Sequence, residues 1–139
     1  MTTARDVMHT GTQCIGEDQN LIDAARMMRD LGVGSLPICG ADDKLHGMLT
    51  DRDIVVRCLA EGADCATTTV GSLAQGRVFF VDADADIDDV LAVMEEHQVR
   101  RLPVIENHRL VGLISESDLS RSLDATRIQE FVGRVYAPA

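Results

Sequence analysis

The sequence predicts an α/β fold of two β-α-β-β-α repeats, packed sheet to sheet with pseudo-two-fold symmetry. Three observations carry this expectation. Gly112-Leu113-Ile114-Ser115-Glu116-Ser117-Asp118 has an earlier copy, Gly47-Met48-Leu49-Thr50-Asp51-Arg52-Asp53. Both read glycine, two apolar residues, a hydroxyl residue, two free positions and aspartate. Ahead of each lies an apolar-Pro-apolar unit, Leu36-Pro37-Ile38 and Leu102-Pro103-Val104. Leu21, Ala24, Ala25 and Met28 recur 66 residues later as Ile87, Val90, Leu91 and Met94 (87 − 21 = 66). Both sets are spaced i, i+3, i+4, i+7, the apolar stripe of a helix. A repeat of this size leaves one sheet face bare when alone, and a second copy covers it.

The elements follow in chain order. Thr2, Thr3 and Asp6 are helix-capping residues ahead of a short apolar turn at Ala4, Val7 and Met8. Val70-Gly71-Ser72-Leu73-Ala74 is the matching lead-in of the second copy. First strands are expected near Cys14-Ile15 and over 78–81, and helices over 19–31 and 85–97. Strands follow over 35–39 and 101–105, then 45–50 and 110–115, and closing helices over 51–60 and 116–123. The turn Gly40-Ala41-Asp42-Asp43-Lys44 is one residue longer than Glu106-Asn107-His108-Arg109, so the register drops from 66 to 65 before the glycine (112 − 47 = 65). Domain boundaries are set at 1–61 for repeat one, 62–72 for linker and lead-in, 73–123 for repeat two and 124–139 for a tail. In the tail Ile128, Phe131, Val132 and Val135 give an amphipathic helix that covers either its own core or a partner's.

Composition narrows the function. The chain has 139 residues, 45% hydrophobic, with 3% aromatic and no Trp, so its core must be aliphatic, with six Met as fillers. A net charge of −10 argues against nucleic acid and against anionic membrane surfaces. No apolar run reaches membrane-spanning length and no secretory signal pattern opens the chain. The expected location is the cytoplasm, with export by a route lacking a recognisable signal as the alternative. No nucleophile–base order or Gly-x4-Gly-Lys-Ser/Thr loop is present, so no enzyme is expected.

Metal chemistry finds little support. The four cysteines contain no Cys-x-x-Cys pair. Cys58 reads as core on the stripe Ile54, Val55, Cys58, and Cys65 as an exposed loop residue without an evident partner. Asp82, Asp84 and Asp86 fail the calcium-loop pattern, because Ile87 and Val93 stand where Gly and Glu are needed, and read as helix caps. His9, His46, His97 and His108 read as surface histidines. No metal is expected, a site joining His97 or His108 to an acid being the alternative.

The repeated loop carries the candidate chemistry. Glycine lets a ligand or another backbone approach. Thr50 and Ser115 end strands, and the helix starting there offers free N–H groups to a phosphate. Asp53 and Asp118, one turn on, can accept two hydrogen bonds from a ribose. This describes a nucleoside or nucleotide cradle. The competing reading is a capping box, hydroxyl residue to aspartate, that only starts a helix.

Apolar-Pro-apolar followed by Gly-apolar-apolar-Ser/Thr-x-x-Asp, twice, resembles a tandem pair of CBS domains, a Bateman module. Leu45-His46-Gly47-Met48-Leu49-Thr50-Asp51-Arg52-Asp53 and Val93-Met94-Glu95-Glu96-His97-Gln98-Val99-Arg100-Arg101 resemble more narrowly the stand-alone actinobacterial CBS proteins of the hypoxic-response type. The resemblance implies that Asp53 with Thr50, and Asp118 with Ser115, hold an adenosine ligand. It also implies that Arg100 and Arg101 face its phosphates. Copy two then suits AMP, ADP or ATP better, while copy one is poorer or suited to a less charged adenosyl ligand; S-adenosylmethionine is also among the candidate ligands. The resemblance brings the strands bearing Cys14 and Cys39 together, which allows a disulfide or leaves two buried reduced thiols. It implies a homodimer through helix faces, with no required cofactor. The function expected is ligand sensing or stress response through another molecule. The alternative is an interaction or structural protein without ligand, with an unidentified protein partner, redox-linked through Cys14 and Cys39.

Overall fold

The computed structural model describes residues 1–74 and 78–138. In chain order the elements are α1 (Ala4–Val7), β1 (Ile15–Gly16), α2 (Leu21–Leu31), β2 (Ser35–Cys39) and β3 (Leu45–Thr50). Next come α3 (Asp51–Ile54), running on as a π-helical turn (Val55–Leu59), and α4 (Val70–Leu73). The second series is β4 (Val81–Asp82), α5 (Ile87–His97), β5 (Arg101–Glu106), β6 (Arg109–Ser115), α6 (Glu116–Ser122) and α7 (Ala125–Val135). Among the described residues the strands form two three-stranded sheets, ordered β1-β2-β3 and β4-β5-β6. The expected α/β repeat is therefore present twice. The first strands are shorter than expected: Cys14 precedes β1, and β4 starts only at Val81.

Each sheet pairs its first two strands in parallel and its last two antiparallel, with a register shift between Ile38 and Cys39 and again between Val104 and Ile105. The long helices also match. Asn20 and Asp86 cap their starts, each side chain accepting a backbone N–H. Gly32 and Gln98 end them in the left-handed region, at φ 68° and 52°. Gly32 enters that region without a Cβ penalty. Gln98 has no such freedom, and its side-chain amide donates to the carbonyls of Arg134 and Ala137.

The chain divides into two compact units that cross the repeat boundaries. One is Met1–Thr12 with Phe79–Ala139; the other is Gln13–Val78. The reason lies in the lead-in helices. Helix α1 donates from Ala4 N–H to Ala85 O (2.8 Å) and from Arg5 N–H to Ala83 O (3.0 Å). Helix α4 donates from Val70 N–H to Gln19 O (2.7 Å) and from Gly71 N–H to Glu17 O (2.8 Å). All four positions are displaced by 66 between the two sets (70 − 4, 85 − 19). Each lead-in thus completes the unit of the other repeat, and the repeat symmetry survives the exchange.

Each unit has its own core. In the first-repeat unit Ile15, Leu21, Ala24, Leu36, Ile38, Leu49, Cys58 and Val70 are fully or almost fully buried. Val55 departs from the expected stripe and is 54% exposed. In the second-repeat unit Val90, Leu91, Met94, Leu102, Val104, Ile114 and Leu119 pack with Phe131 and Val135 of α7. The tail helix therefore covers its own unit's core, one of the two alternatives left by the sequence. Glu95 fixes it from α5 by ion pairs to Arg127 (2.8 Å) and Arg134 (3.0 Å).

Candidate functional site

The two repeated loops end their strands against the exchanged lead-ins. A Cβ on Gly112 would lie 2.9 Å from the carbonyl oxygen of His9 and inside the side chain of Met8. A Cβ on Gly47 would lie 3.1 Å from that of Ala74, the counterpart of Met8 (74 − 8 = 66). The glycines are needed because another backbone passes there.

Both capping boxes are formed. Thr50 and Ser115 are the N-caps of α3 and α6. Asp53 N–H donates to Thr50 Oγ1 (3.1 Å) and Thr50 N–H to Asp53 Oδ2 (2.9 Å). In the second copy Ser115 N–H donates to Asp118 Oδ2 (2.9 Å), and Asp118 N–H to Ser115 Oγ at 3.4 Å.

Beyond this shared frame the copies diverge. Asp118 is 4% exposed and both its carboxylate oxygens are engaged. Oδ2 also accepts from the Ser115 hydroxyl (2.9 Å) and from His9 Nδ1 (2.7 Å), and Oδ1 accepts from Arg121 (2.7 Å). An ionised carboxylate only accepts, so His9 carries its proton on Nδ1. Burial pushes the Asp118 carboxyl up; the bonds from His9 and Ser115 outweigh it and hold it below the usual range. His9 is a surface histidine, as expected, but its ring is bound to Asp118. Backbone bonds between His9 and Leu113 (3.0 and 3.1 Å) lay it along β6.

Asp53 is half-buried and, among the described residues, its Oδ1 receives no donor. Across the strand pair from Thr50 stands Ser35, 4% exposed, whose Oγ has no hydrogen-bond partner. A buried hydroxyl left unpaired costs about 1–3 kcal/mol, so this position asks for a partner. In the second copy the residue opposite Ser115 is Arg101, which is exposed. Arg100 is engaged: it lies over the Tyr136 ring (5.4 Å to the centroid) and donates to its hydroxyl (3.2 Å).

The structure joins Cys14 and Cys39 in a disulfide with Cα atoms 5.6 Å apart. Cys65 departs from expectation: its sulfur lies 2.8 Å from that of buried Cys58. His97 stacks on Phe79 (centroids 3.8 Å apart), and His108 occupies the tight β5–β6 turn at φ 66°. Among the described residues no three His, Cys, Asp or Glu side chains gather to hold a metal. His46 comes between two acids, yet Glu17 faces its Nδ1 (3.1 Å) and Asp42 its Nε2 (3.6 Å), so the donors do not converge. No helix of the described residues is long and apolar enough to cross a membrane.

Two sheets of identical topology with paired Gly-to-Asp loops define a tandem repeat, and comparison identifies it. The CBS domain model matches residues 4–59 and 70–125, and the chain belongs to the CBS-domain family. It is 54% identical over 138 residues to Hypoxic response protein 1 of Mycobacterium tuberculosis, covering 99% of this chain and 96% of that protein. A crystal structure of Hypoxic Response Protein I with two coordinated zinc ions superposes with a TM-score of 0.81 at 58% identity, covering 88% of this chain and all of that one. The CBS domain-containing protein YhcV of Bacillus subtilis is 32% identical over 120 residues, 86% of this chain and 84% of that protein. The chain is a CBS pair related to the hypoxic response protein.

Proposed function

We propose that this protein is a regulatory, non-enzymatic CBS pair that takes an adenosine-containing ligand at the first-repeat loop, on Ser35, Thr50 and Asp53. The observation that carries the reading is the unpaired, buried Ser35 hydroxyl across from Thr50. Asp53 keeps one carboxylate oxygen for a pair of ribose hydroxyls, and the Thr50 hydroxyl, while capping α3, still has its proton to donate. In the second loop Glu116 Oε1, an acceptor, is also buried without a partner, but a ligand on Asp118 would have to displace His9 or Arg121. This reverses the preference drawn from Arg100 and Arg101. AMP, ADP and ATP remain candidates beside S-adenosylmethionine. The protein acts in the cytoplasm as a homodimer, for which the exposed Val55, Val56 and Leu59 supply an apolar helix face. Zinc has no role in this proposal, because the donor set does not fit.

A second reading is favoured by a separate observation. Both capping boxes are closed by their own side chains, and Cys14 is crosslinked to Cys39. A ligand-free interaction protein, redox-linked through that bond, uses both features. Titration calorimetry with AMP, ADP, ATP and S-adenosylmethionine separates the two. Heat with one of them, lost in Asp53→Asn and kept in Arg101→Ala, supports the first reading. No heat with any ligand, from protein of native circular dichroism, leaves the second.

A further inference from the structure

Cys58 and Cys65 belong to one repeat only. With the register of 65, the counterpart of Cys58 is Leu123 (58 + 65) and the counterpart of Cys65 is Glu130 (65 + 65). The pair therefore serves something other than the repeated framework. Its sulfurs are 2.8 Å apart, inside the roughly 3.5–4.0 Å at which unbonded heavy atoms pack.

The chain between them is held in a fixed turn. Ala63 N–H donates to Cys58 O (3.0 Å), Gly62 turns at φ 72°, and Thr67 and Thr68 N–H both donate to Asp64 O (3.1 and 3.0 Å). Leu21 N–H, at the start of α2, donates to Cys65 O (3.2 Å) and Thr68 O (3.1 Å). Cys58 itself sits in the π-helical turn, a local distortion frequent at functional positions. The two thiols are thus brought together by backbone bonds and not by chance side-chain rotation.

We infer that Cys58 and Cys65 form a reversible thiol–disulfide pair, oxidised by exchange with a low-molecular-weight disulfide. Cys65 is the entry point, being half-buried where Cys58 is fully buried. Its thiolate attacks one sulfur of the small disulfide, whose S–S bond breaks, and one small thiol leaves with a proton. The Cys58 thiolate then attacks the Cys65 sulfur of the mixed disulfide and expels the second small thiol, again with a proton. The protein dithiol loses two electrons and two protons; the small disulfide gains them and becomes two thiols. The Cys65 thiol is pushed up by sharing a hydrogen bond with Cys58, by burial and by Asp64. Its exchange is therefore slow, since the thiolate is the attacking form. In the oxidised form the turn that receives the first N–H of α2 is tied covalently to the end of the copy-one helix.

The test uses the full chain in glutathione buffers of stepped ratio, quenched by alkylation and digested with trypsin. Cleavage after Arg57 and Arg77 places Cys58 and Cys65 on one peptide, apart from Cys14 and Cys39. The expected result is a peptide that escapes alkylation and loses two hydrogens as oxidised glutathione rises, restored by dithiothreitol. Cys58→Ser should instead accumulate a glutathione adduct on Cys65. Alkylation of both sulfurs at every ratio, a lasting Cys65 adduct in the wild type, or a crosslink to Cys14 or Cys39 would overturn the inference. Should Cys58→Ser fail to fold, the wild-type digest decides alone.

Discussion

Replacing the two repeated aspartates by alanine should expose how differently the copies use the same motif. Asp53→Ala removes the reciprocal half of a capping box at a half-buried position, a loss of about 1 kcal/mol. Asp118→Ala removes the same half plus the hydrogen bonds from the Ser115 hydroxyl and from His9. Bonds to a charged group contribute about 1.5–3 kcal/mol each, partly offset because the buried charge itself disappears. The exposed Arg121 adds little. The sum for Asp118→Ala is about 3 kcal/mol. At about 3–5 °C per kcal/mol for a domain of this size, the melting temperature should fall by roughly 10 °C for Asp118→Ala and roughly 4 °C for Asp53→Ala. Thermal melts monitored by circular dichroism measure these shifts, and urea unfolding the free-energy losses. A double-mutant cycle with His9→Ala isolates the pair, with an expected coupling of about 1–2 kcal/mol. Equal losses for the two aspartates, or additive effects of His9 and Asp118, would refute the assignment of His9 as the second copy's anchor.

Three other outcomes follow from the same contacts. Gly112→Ala should cost about 1–3 kcal/mol by overpacking against the His9 carbonyl, with Gly47→Ala milder because it meets only the Ala74 methyl, and thermal melts rank them. Asp118→Asn should flatten the acid limb of a stability–pH curve: the folded carboxyl titrates below its unfolded value, so its stabilisation is present above about pH 4 and lost as pH falls through the folded value. Glu95, pushed up by burial but held lower by Arg127 and Arg134, adds to the same limb. Opening the Cys14–Cys39 bond, by Cys14→Ser with Cys39→Ser, should cost about 3 kcal/mol, since it closes a loop with a sequence separation of 25; denaturation of the oxidised wild type and the variant gives the difference.

Much of this molecule is legible in its sequence because it is written twice. The helical stripes, the proline strands and the Thr50–Asp53 and Ser115–Asp118 spacings each confirm the other, and Gly32 marks a helix end on its own. Gln98 does not, because the carbonyls that support its backbone lie at the far end of the chain. The exchange of lead-ins was hidden for a symmetry reason: docking α1 on its own repeat or on the other satisfies the same pattern. His9 was hidden by distance, since its partner lies 109 residues away. Cys58 and Cys65 meet only because a turn at Gly62 folds the chain back, and no helical or strand period pairs positions seven apart across a turn. The capping boxes of the two loops were legible as a motif, but not their asymmetry, which rests on what faces each aspartate.

The first-repeat loop, and not the second, is the proposed adenosine site. Amide nitrogen–proton spectra recorded during an ADP titration test this residue by residue. Ser35, Thr50 and Asp53 should shift progressively while Ser115 and Asp118 stay in place. Shifts confined to Ser115 and Asp118, or none at saturating ligand, would contradict it.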